Sequence, residues 1–122
     1  MTPGEVVRGF FERMEARDWD GAGALLSPTV RIDYTETGER FDGANVIEMN
    51  RAYPEGWAIE VVEVLTDGDR VAAQVRVDHG DDTFWCAGFY EVRDGVITHG
   101  VEHWVQERSV TPPEWRRRFT TA

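Results

Sequence analysis

His99, Glu102 and His103 stand in the stretch HGVEH, which reads as H-x-x-E-H. On a helix this spacing brings both imidazoles to one face, one turn apart. There they can share a zinc ion while the glutamate acts on metal-bound water. On a strand the same histidines lie about 13 Å apart and share nothing, while Glu102 points to the opposite face. The local conformation therefore decides which chemistry is available.

The surrounding residues favour a strand. GVITHGVEHWVQ follows an Asp94-Gly95 turn, carries Val96, Ile97 and Thr98, and contains Gly100, which weakens a helix. No zinc or other metal site is expected, and His99 and His103 are expected on an outer or subunit-facing surface. Attention passes to Glu102, which shares its strand face with Gly100 and Trp104.

The elements that must position Glu102 fall into two halves of different periodicity. Val6, Val7, Phe10, Phe11 and Met14 recur at helical spacing opposite Arg8, Glu12 and Glu15. Thr2, Pro3 and Glu5 supply a cap, a first helical proline and a T-x-x-E capping box. Asp18 opens a second helix, WDGAGALL, expected to stop at Ser27-Pro28. TVRIDYTE alternates as a half-buried strand, and GANVIEMNRAY predicts a third helix ending before Pro54 and Gly56.

From Trp57 onward the period is two. The Gly-containing turns TDGDR, HGDDT and VRDGV delimit strands at about 57–66, 70–79, 83–92 and 96–107, an antiparallel meander. WAIEVVEV changes phase at Val61 and Val62, which predicts a bulge that bends the sheet. Helices followed by a curved sheet define an α+β class, with the chain forming a single domain of 122 residues.

Composition bounds what such a domain does. Apolar residues make up 41% of the chain, enough for a packed core, and no apolar run approaches a membrane span. The N-terminus MTPGEVVRGF lacks the basic and apolar regions of a signal peptide, so a cytoplasmic location and no membrane partner are expected. With 23 acidic against 13 basic side chains, the formal charge of −10 argues against nucleic acid. The basic cluster EWRRRF is expected to pair with the acidic body or to solvate a tail helix. Cys86, the single cysteine, permits no internal disulfide and lacks a neighbouring base, which favours an inert buried thiol.

Helices laid in the concavity of a bent sheet would enclose an inner face. Its expected residues are Phe10, Met14, Ile32, Tyr34, Met49, Tyr53, Trp57, Val75, Tyr90, Glu102 and Trp104. A carboxylate there costs several kcal/mol unless paired, hydrogen-bonded or beside a wet hollow. Two roles are open to Glu102. Desolvation would raise its pKa and suit it to proton transfer near neutrality, with Tyr34 donating to a developing oxyanion. Alternatively it is a structural acceptor for Tyr34, Tyr53 or a tryptophan N–H.

The element order, with the signature GFYEVRDGVITHGVEHWV from Gly88 to Val105, resembles the SnoaL-like branch of the nuclear transport factor 2-like superfamily. The resemblance spans nearly the whole chain. It implies a cone-shaped α+β barrel, a strongly curved, mainly antiparallel sheet wrapped around three N-terminal helices. It also implies a deep apolar pocket and dimerisation through the outer sheet face.

Members of the superfamily include ketosteroid isomerases, polyketide cyclases, limonene epoxide hydrolase and scytalone dehydratase. Glu102 matches the acid of limonene epoxide hydrolase in the last strand. The places of that enzyme's arginine and aspartate hold Val75 and Val77, with Arg76 and Asp78 out of phase. Where ketosteroid isomerases carry a base and a tyrosine, this chain has Ile32 and Phe10. His79, at the end of VRVDH, resembles a histidine of scytalone dehydratase; a solvated turn residue is the other reading.

Three function classes are consistent with these residues. One is a cofactor-independent isomerase, cyclase, dehydratase or hydrolase acting on a small apolar molecule, with Glu102 as acid or base. The others are a pocket that binds such a molecule without chemistry and a dimeric interaction module whose pocket is filled. Trp85, Phe89, Val101 and His103 fall on the opposite face, and no helix is left over to cover them, so a homodimer through that face is expected.

Overall fold

A computed structural model describes residues 1–121. The first helix, α1 (Pro3–Glu15), begins as its capping box dictates: the Thr2 amide donates to Glu5 at 2.8 Å and the Glu5 amide to Thr2 Oγ1 at 3.2 Å. Its apolar stripe of Val6, Val7, Phe10, Phe11 and Met14 is buried. Each such side chain contributes about 1.5–3 kcal/mol of transfer free energy. Asp18 caps α2 (Trp19–Gly23) by accepting from the Gly21 amide at 2.9 Å.

This second helix is shorter than its sequence suggests. It ends at Gly23, and the chain passes through Leu25 into strand β1 (Leu26–Tyr34), so Ser27 and Pro28 lie in a strand rather than closing a helix. Leu25 and Leu26 are buried in the core, which draws the chain inward before the proline. The pairing of β1 with its parallel neighbour shifts between Leu26 and Arg31, and Pro28, which has no N–H to donate, sits in that interruption.

A further strand, β2 (Glu39–Asp42), pairs antiparallel with β1. It escaped the sequence reading because Phe41 is its only apolar residue and no alternation is visible. Asp42 then caps α3 (Gly43–Ala52) through the Asn45 amide at 3.1 Å. The meander follows as β3 (Trp57–Asp67), β4 (Arg70–His79), β5 (Asp82–Arg93) and β6 (Val96–Gln106). The register of β3 against β4 shifts between Val61 and Glu63, the bulge that the phase change predicts.

The six strands form one curved sheet in the order β2-β1-β6-β5-β4-β3. It is not closed into a barrel, because β2 and β3 are edges that do not pair with each other. The helices occupy the opening. Helix α1 packs chiefly on β3, α3 on β1 and β2, and α2 between the other two helices. Beyond β6, a short 3-10 helix (Glu114–Phe119) leaves Trp115 and Phe119 about 71% and 68% exposed. Arg117 pairs locally with Glu114 at 3.3 Å, and among the described residues none of its charges pairs with the acidic body. Among the described residues no helix is long and apolar enough to cross a membrane.

Candidate active site

Glu102 is 4% exposed, the one buried charged side chain among the core residues. Its two oxygens are each hydrogen-bonded. Oε2 accepts from the Tyr90 hydroxyl at 2.7 Å, and Oε1 from the indole N–H of Trp104 at 3.0 Å. Burial pushes its pKa above the ordinary glutamate value, against these two donors, which favour the charged form. The partners are Tyr90 and a tryptophan, not Tyr34 or Tyr53.

The bond to Tyr90 depends on two glycines. In the β5–β6 ladder Glu102 stands opposite Gly88, and Tyr90 opposite Gly100. The Tyr90 side chain leans diagonally across both. A Cβ on Gly88 would collide with the Tyr90 hydroxyl end, and one on Gly100 would lie 2.8 Å from Tyr90 Cδ1 and 2.7 Å from Ile32 Cδ1. Without side chains at both positions, the ring can lie along the sheet and deliver its hydroxyl to the carboxylate.

Glu102 borders a cavity of about 320 Å³ between the helices and the sheet. From α1 come Phe10, Phe11 and Met14; from β1, Ile32 and Tyr34; from α3, Val46, Met49 and Asn50, followed by Tyr53. The meander supplies Trp57, Ile59, Val77, Phe84, Glu102 and Trp104, with Glu36, Thr37, Phe41 and Val105 also at the boundary. Val75 and Tyr90, expected on the cavity wall, do not line it. Both are buried in the core, Tyr90 edge-on to Phe11 at 6.1 Å. Phase alone put them on the inner face; α1, packed against β4 and β5, covers that part of the sheet.

Several residues of the cavity wall lie outside the set expected from sequence. Phe11 belongs to the same apolar stripe as Phe10, and Ile59 shares the phase of Trp57, so both were discoverable. Phe41 was hidden with its strand. Glu36 and Thr37 lie in the turn between β1 and β2, where no periodic signal exists.

Tyr34 is the direct lateral neighbour of Glu102 on the parallel strand. Its hydroxyl has no hydrogen-bond partner among the described residues. Burial first, and then the Glu102 charge, raises its pKa and keeps it protonated. Its ring is fixed edge-on to Phe41 at 4.9 Å and tilted against Trp104 at 6.2 Å. A neutral donor and a buried carboxyl thus sit side by side at one end of the cavity. Cys86 is fully buried next to this pair, and desolvation pushes its thiol pKa upward, so it is held as a neutral thiol.

Tyr53, at the end of α3, donates or accepts through its hydroxyl to His79 Nδ1 at 2.8 Å, and His79 Nε2 lies 3.3 Å from the Glu55 carbonyl. His79 is thus engaged, not a freely solvated turn residue. Tyr53 also stacks on Trp57 at 6.0 Å, and the Arg17 guanidinium lies 3.3 Å above the Trp57 ring. Arg17 in turn bonds Glu55 at 2.8 Å and the Trp57 carbonyl at 2.7 Å. The Trp57 indole N–H finds no acceptor among the described residues.

His99 and His103 lie on the outer face of β6. His99 Nε2 is 2.9 Å from Asp33, which also receives Arg40 at 2.7 Å, and His103 Nδ1 is 2.8 Å from Thr35 Oγ1. Each imidazole has its own partner. On β4, Arg76 and Asp78 pair with each other at 3.1 Å, and the β4–β5 register runs without a bulge, so neither turns into the cavity.

The fold is thus an open, curved sheet cupping helices around a largely apolar cavity that one buried acid borders. The sequence pattern of the SnoaL-like domain matches residues 7–100, and the chain belongs to that family. It is similar in structure to a candidate ketosteroid isomerase from Kribbella flavida, with 28% identity and a TM-score of 0.89 over 98% of this chain and 88% of that one. An LEH-like epoxide hydrolase from M. tuberculosis gives 21% identity and a TM-score of 0.72, covering 84% of this chain and 82% of that chain. IdmH, a candidate polyketide cyclase from Streptomyces antibioticus, gives 17% identity and 0.72 over 88% and 93% of the two chains. No curated protein matches the sequence.

Proposed function

We propose that this protein binds a small, largely apolar carbonyl compound in the cavity and moves a proton on it without a cofactor, with Glu102 as the acid/base. The observation that carries this reading is a buried glutamate, its pKa raised by burial, bordering a largely apolar cavity. A desolvated carboxylate is a stronger base than a solvated one and operates closer to neutral pH. Taking a proton from the carbon beside a carbonyl turns Glu102 into the carboxylic acid and the substrate into an enolate. Tyr34 donates to the enolate oxygen, and in a substrate whose carbon–carbon double bond is conjugated with that enolate, returning the proton from Glu102 to the far carbon of the dienolate completes an isomerisation.

Family neighbours described as isomerases and cyclases support chemistry of this kind. A ketosteroid isomerase mechanism copied residue for residue is not supported, because Ile32 and Phe10 occupy the positions identified by resemblance. Epoxide opening by an arginine–aspartate pair is likewise unsupported, since Arg76 and Asp78 pair outside the cavity.

A second reading, binding without chemistry, is favoured by one observation: both Glu102 oxygens already accept hydrogen bonds. Incubating 1-tetralone with the protein in deuterated water, and following loss of the α-proton signal, separates the two. Catalysed exchange that disappears in Glu102→Gln supports proton transfer. Saturable binding with no exchange above background assigns the cavity to binding alone.

The partner implied by the outer sheet face is a second copy of the chain. Phe89 and Val105 are 48% and 58% exposed there, beside Trp85, Val101 and His103. We infer a homodimer through this face, supported by its apolar character and by the family.

A further inference from the structure

Five residues at the cavity rim form a closed circuit. Arg17 bonds the Glu55 carboxylate at 2.8 and 3.0 Å and covers the Trp57 ring; Trp57 stacks on Tyr53; Tyr53 bonds His79; and His79 returns to the Glu55 backbone. Two of these contacts, the Trp57 stack and the His79 hydrogen bond, are to Tyr53 itself. The His79 ring also stands edge-on to Tyr53 at 4.8 Å, and His79 is the ladder partner of Trp57.

The circuit also sets the direction of the Tyr53 hydroxyl. A backbone carbonyl only accepts, so the Glu55 carbonyl requires the hydrogen of His79 on Nε2. In the neutral imidazole, Nδ1 is then the acceptor, and the Tyr53 O–H donates to it. With its proton committed to His79, the Tyr53 oxygen offers a lone pair and no hydrogen. Tyr53 lines the same cavity as Glu102 and Tyr34. The cavity therefore carries a donor station at Tyr34 and an acceptor station at Tyr53.

We propose that Tyr53, oriented by His79, is a specificity-determining hydrogen-bond acceptor that selects ligands bearing a hydroxyl group remote from the carbonyl. This rests on the reading of the cavity as a carbonyl-binding site and narrows its ligand class to hydroxy-ketones with a compact apolar body. Tyr34 meets the carbonyl oxygen, and the remote O–H donates to Tyr53. His79 is a positioning residue: it never meets the ligand and acts by holding the Tyr53 proton. A ligand whose remote group is an ether has no hydrogen to give to Tyr53. It leaves the Tyr53 oxygen unpaired.

The test compares 6-hydroxy-1-tetralone, 6-methoxy-1-tetralone and 1-tetralone as probes, titrated near neutral pH, where the phenol of the hydroxy probe largely keeps its proton. The wild type should bind the hydroxy compound about tenfold more tightly than either of the others, the size of one well-placed hydrogen bond. The ratio, not the absolute affinity, is the readout. It should fall to about one in Tyr53→Phe, which keeps the ring, and in His79→Leu, which frees the Tyr53 proton. It should survive in His79→Asn, whose amide oxygen can stand where Nδ1 stood. A merely structural role for His79 would not restore selectivity in that variant.

Binding of 1-tetralone without a hydroxyl preference in the wild type overturns this inference and leaves the cavity reading intact. A preference that persists in folded Tyr53→Phe also overturns it. If none of the three probes binds the wild type, the carbonyl-site reading fails and this inference fails with it.

Discussion

Tyr90 reaches Glu102 only because Gly88 has no side chain. The two partners of the 2.7 Å bond are not opposite each other in the ladder; Glu102 faces Gly88, and the phenol crosses that empty position. The buried acid, its donor and the glycine between them form one unit. A change at any of the three is felt at the other two.

Gly88→Ala should therefore act on the acid without touching it chemically. The new methyl group would overlap the hydroxyl end of Tyr90, a rigid ring already held by Phe11 and Gly100. Overpacking of this kind costs about 1–3 kcal/mol. Urea unfolding should show a loss in that range together with an altered near-ultraviolet circular dichroism signal. Stability within about 0.5 kcal/mol of wild type, the range of an ordinary surface substitution, would count against the crossing geometry.

The raised pKa of Glu102 has a consequence for stability with a definite sign. Between the ordinary glutamate value of 4.5 and the higher folded value, the unfolded chain has released its proton while the folded chain still holds it. Stability therefore falls as pH rises through that window and levels off above it. Glu102→Gln does not titrate and should lack this fall. Tyr90→Phe removes a donor that favours the carboxylate, so its fall should extend to higher pH. Denaturation midpoints measured from pH 4 to pH 8 for the three proteins give the comparison. Identical pH profiles for wild type and Glu102→Gln would show that the carboxyl titrates normally.

Much of this arrangement was legible in the residues themselves. The meander, its bulge at Val61 and Val62, and the shared inner phase of Gly100, Glu102 and Trp104 follow from alternation and Gly-containing turns. Alternation, however, reports only which face of the sheet a side chain occupies. It does not say whether a helix or a void lies above it, which is why Val75 and Tyr90 fall under α1 instead of on the cavity wall. Strand β2 carries too few apolar residues to show a period. The Tyr53–His79 contact joins residues 26 positions apart, with β3 and the length of β4 between them, and no local pattern encodes it.

Exposure of Phe89 and Val105 leads to a prediction about assembly. If the outer face is a dimer interface, sedimentation at micromolar concentration should give twice the chain mass of 13.9 kDa. Phe89→Asp places a charge at the centre of that face, and the pair should dissociate to monomer with the fold retained. A wild-type monomer at that concentration would remove the outer face as a self-association surface.

Arg17 supplies the last prediction, because its backbone and side chain act in opposite directions. It follows α1 in the left-handed region at φ 59°, where a residue with a Cβ is disfavoured by about 1 kcal/mol relative to glycine. Its guanidinium nevertheless clamps Trp57 from above and bonds the Trp57 carbonyl, and a partly buried cation over an indole contributes about 1–2 kcal/mol. Arg17→Ala loses the clamp and keeps the backbone penalty. Arg17→Gly loses the clamp and sheds that penalty. The alanine variant should therefore be the least stable of the three, and the glycine variant should recover about 1 kcal/mol of the difference. Both variants should release Trp57, raising its accessibility to a fluorescence quencher. Equal stability of the two variants would show that the turn carries no strain, and unchanged quenching in both would show that Arg17 does not hold the rim.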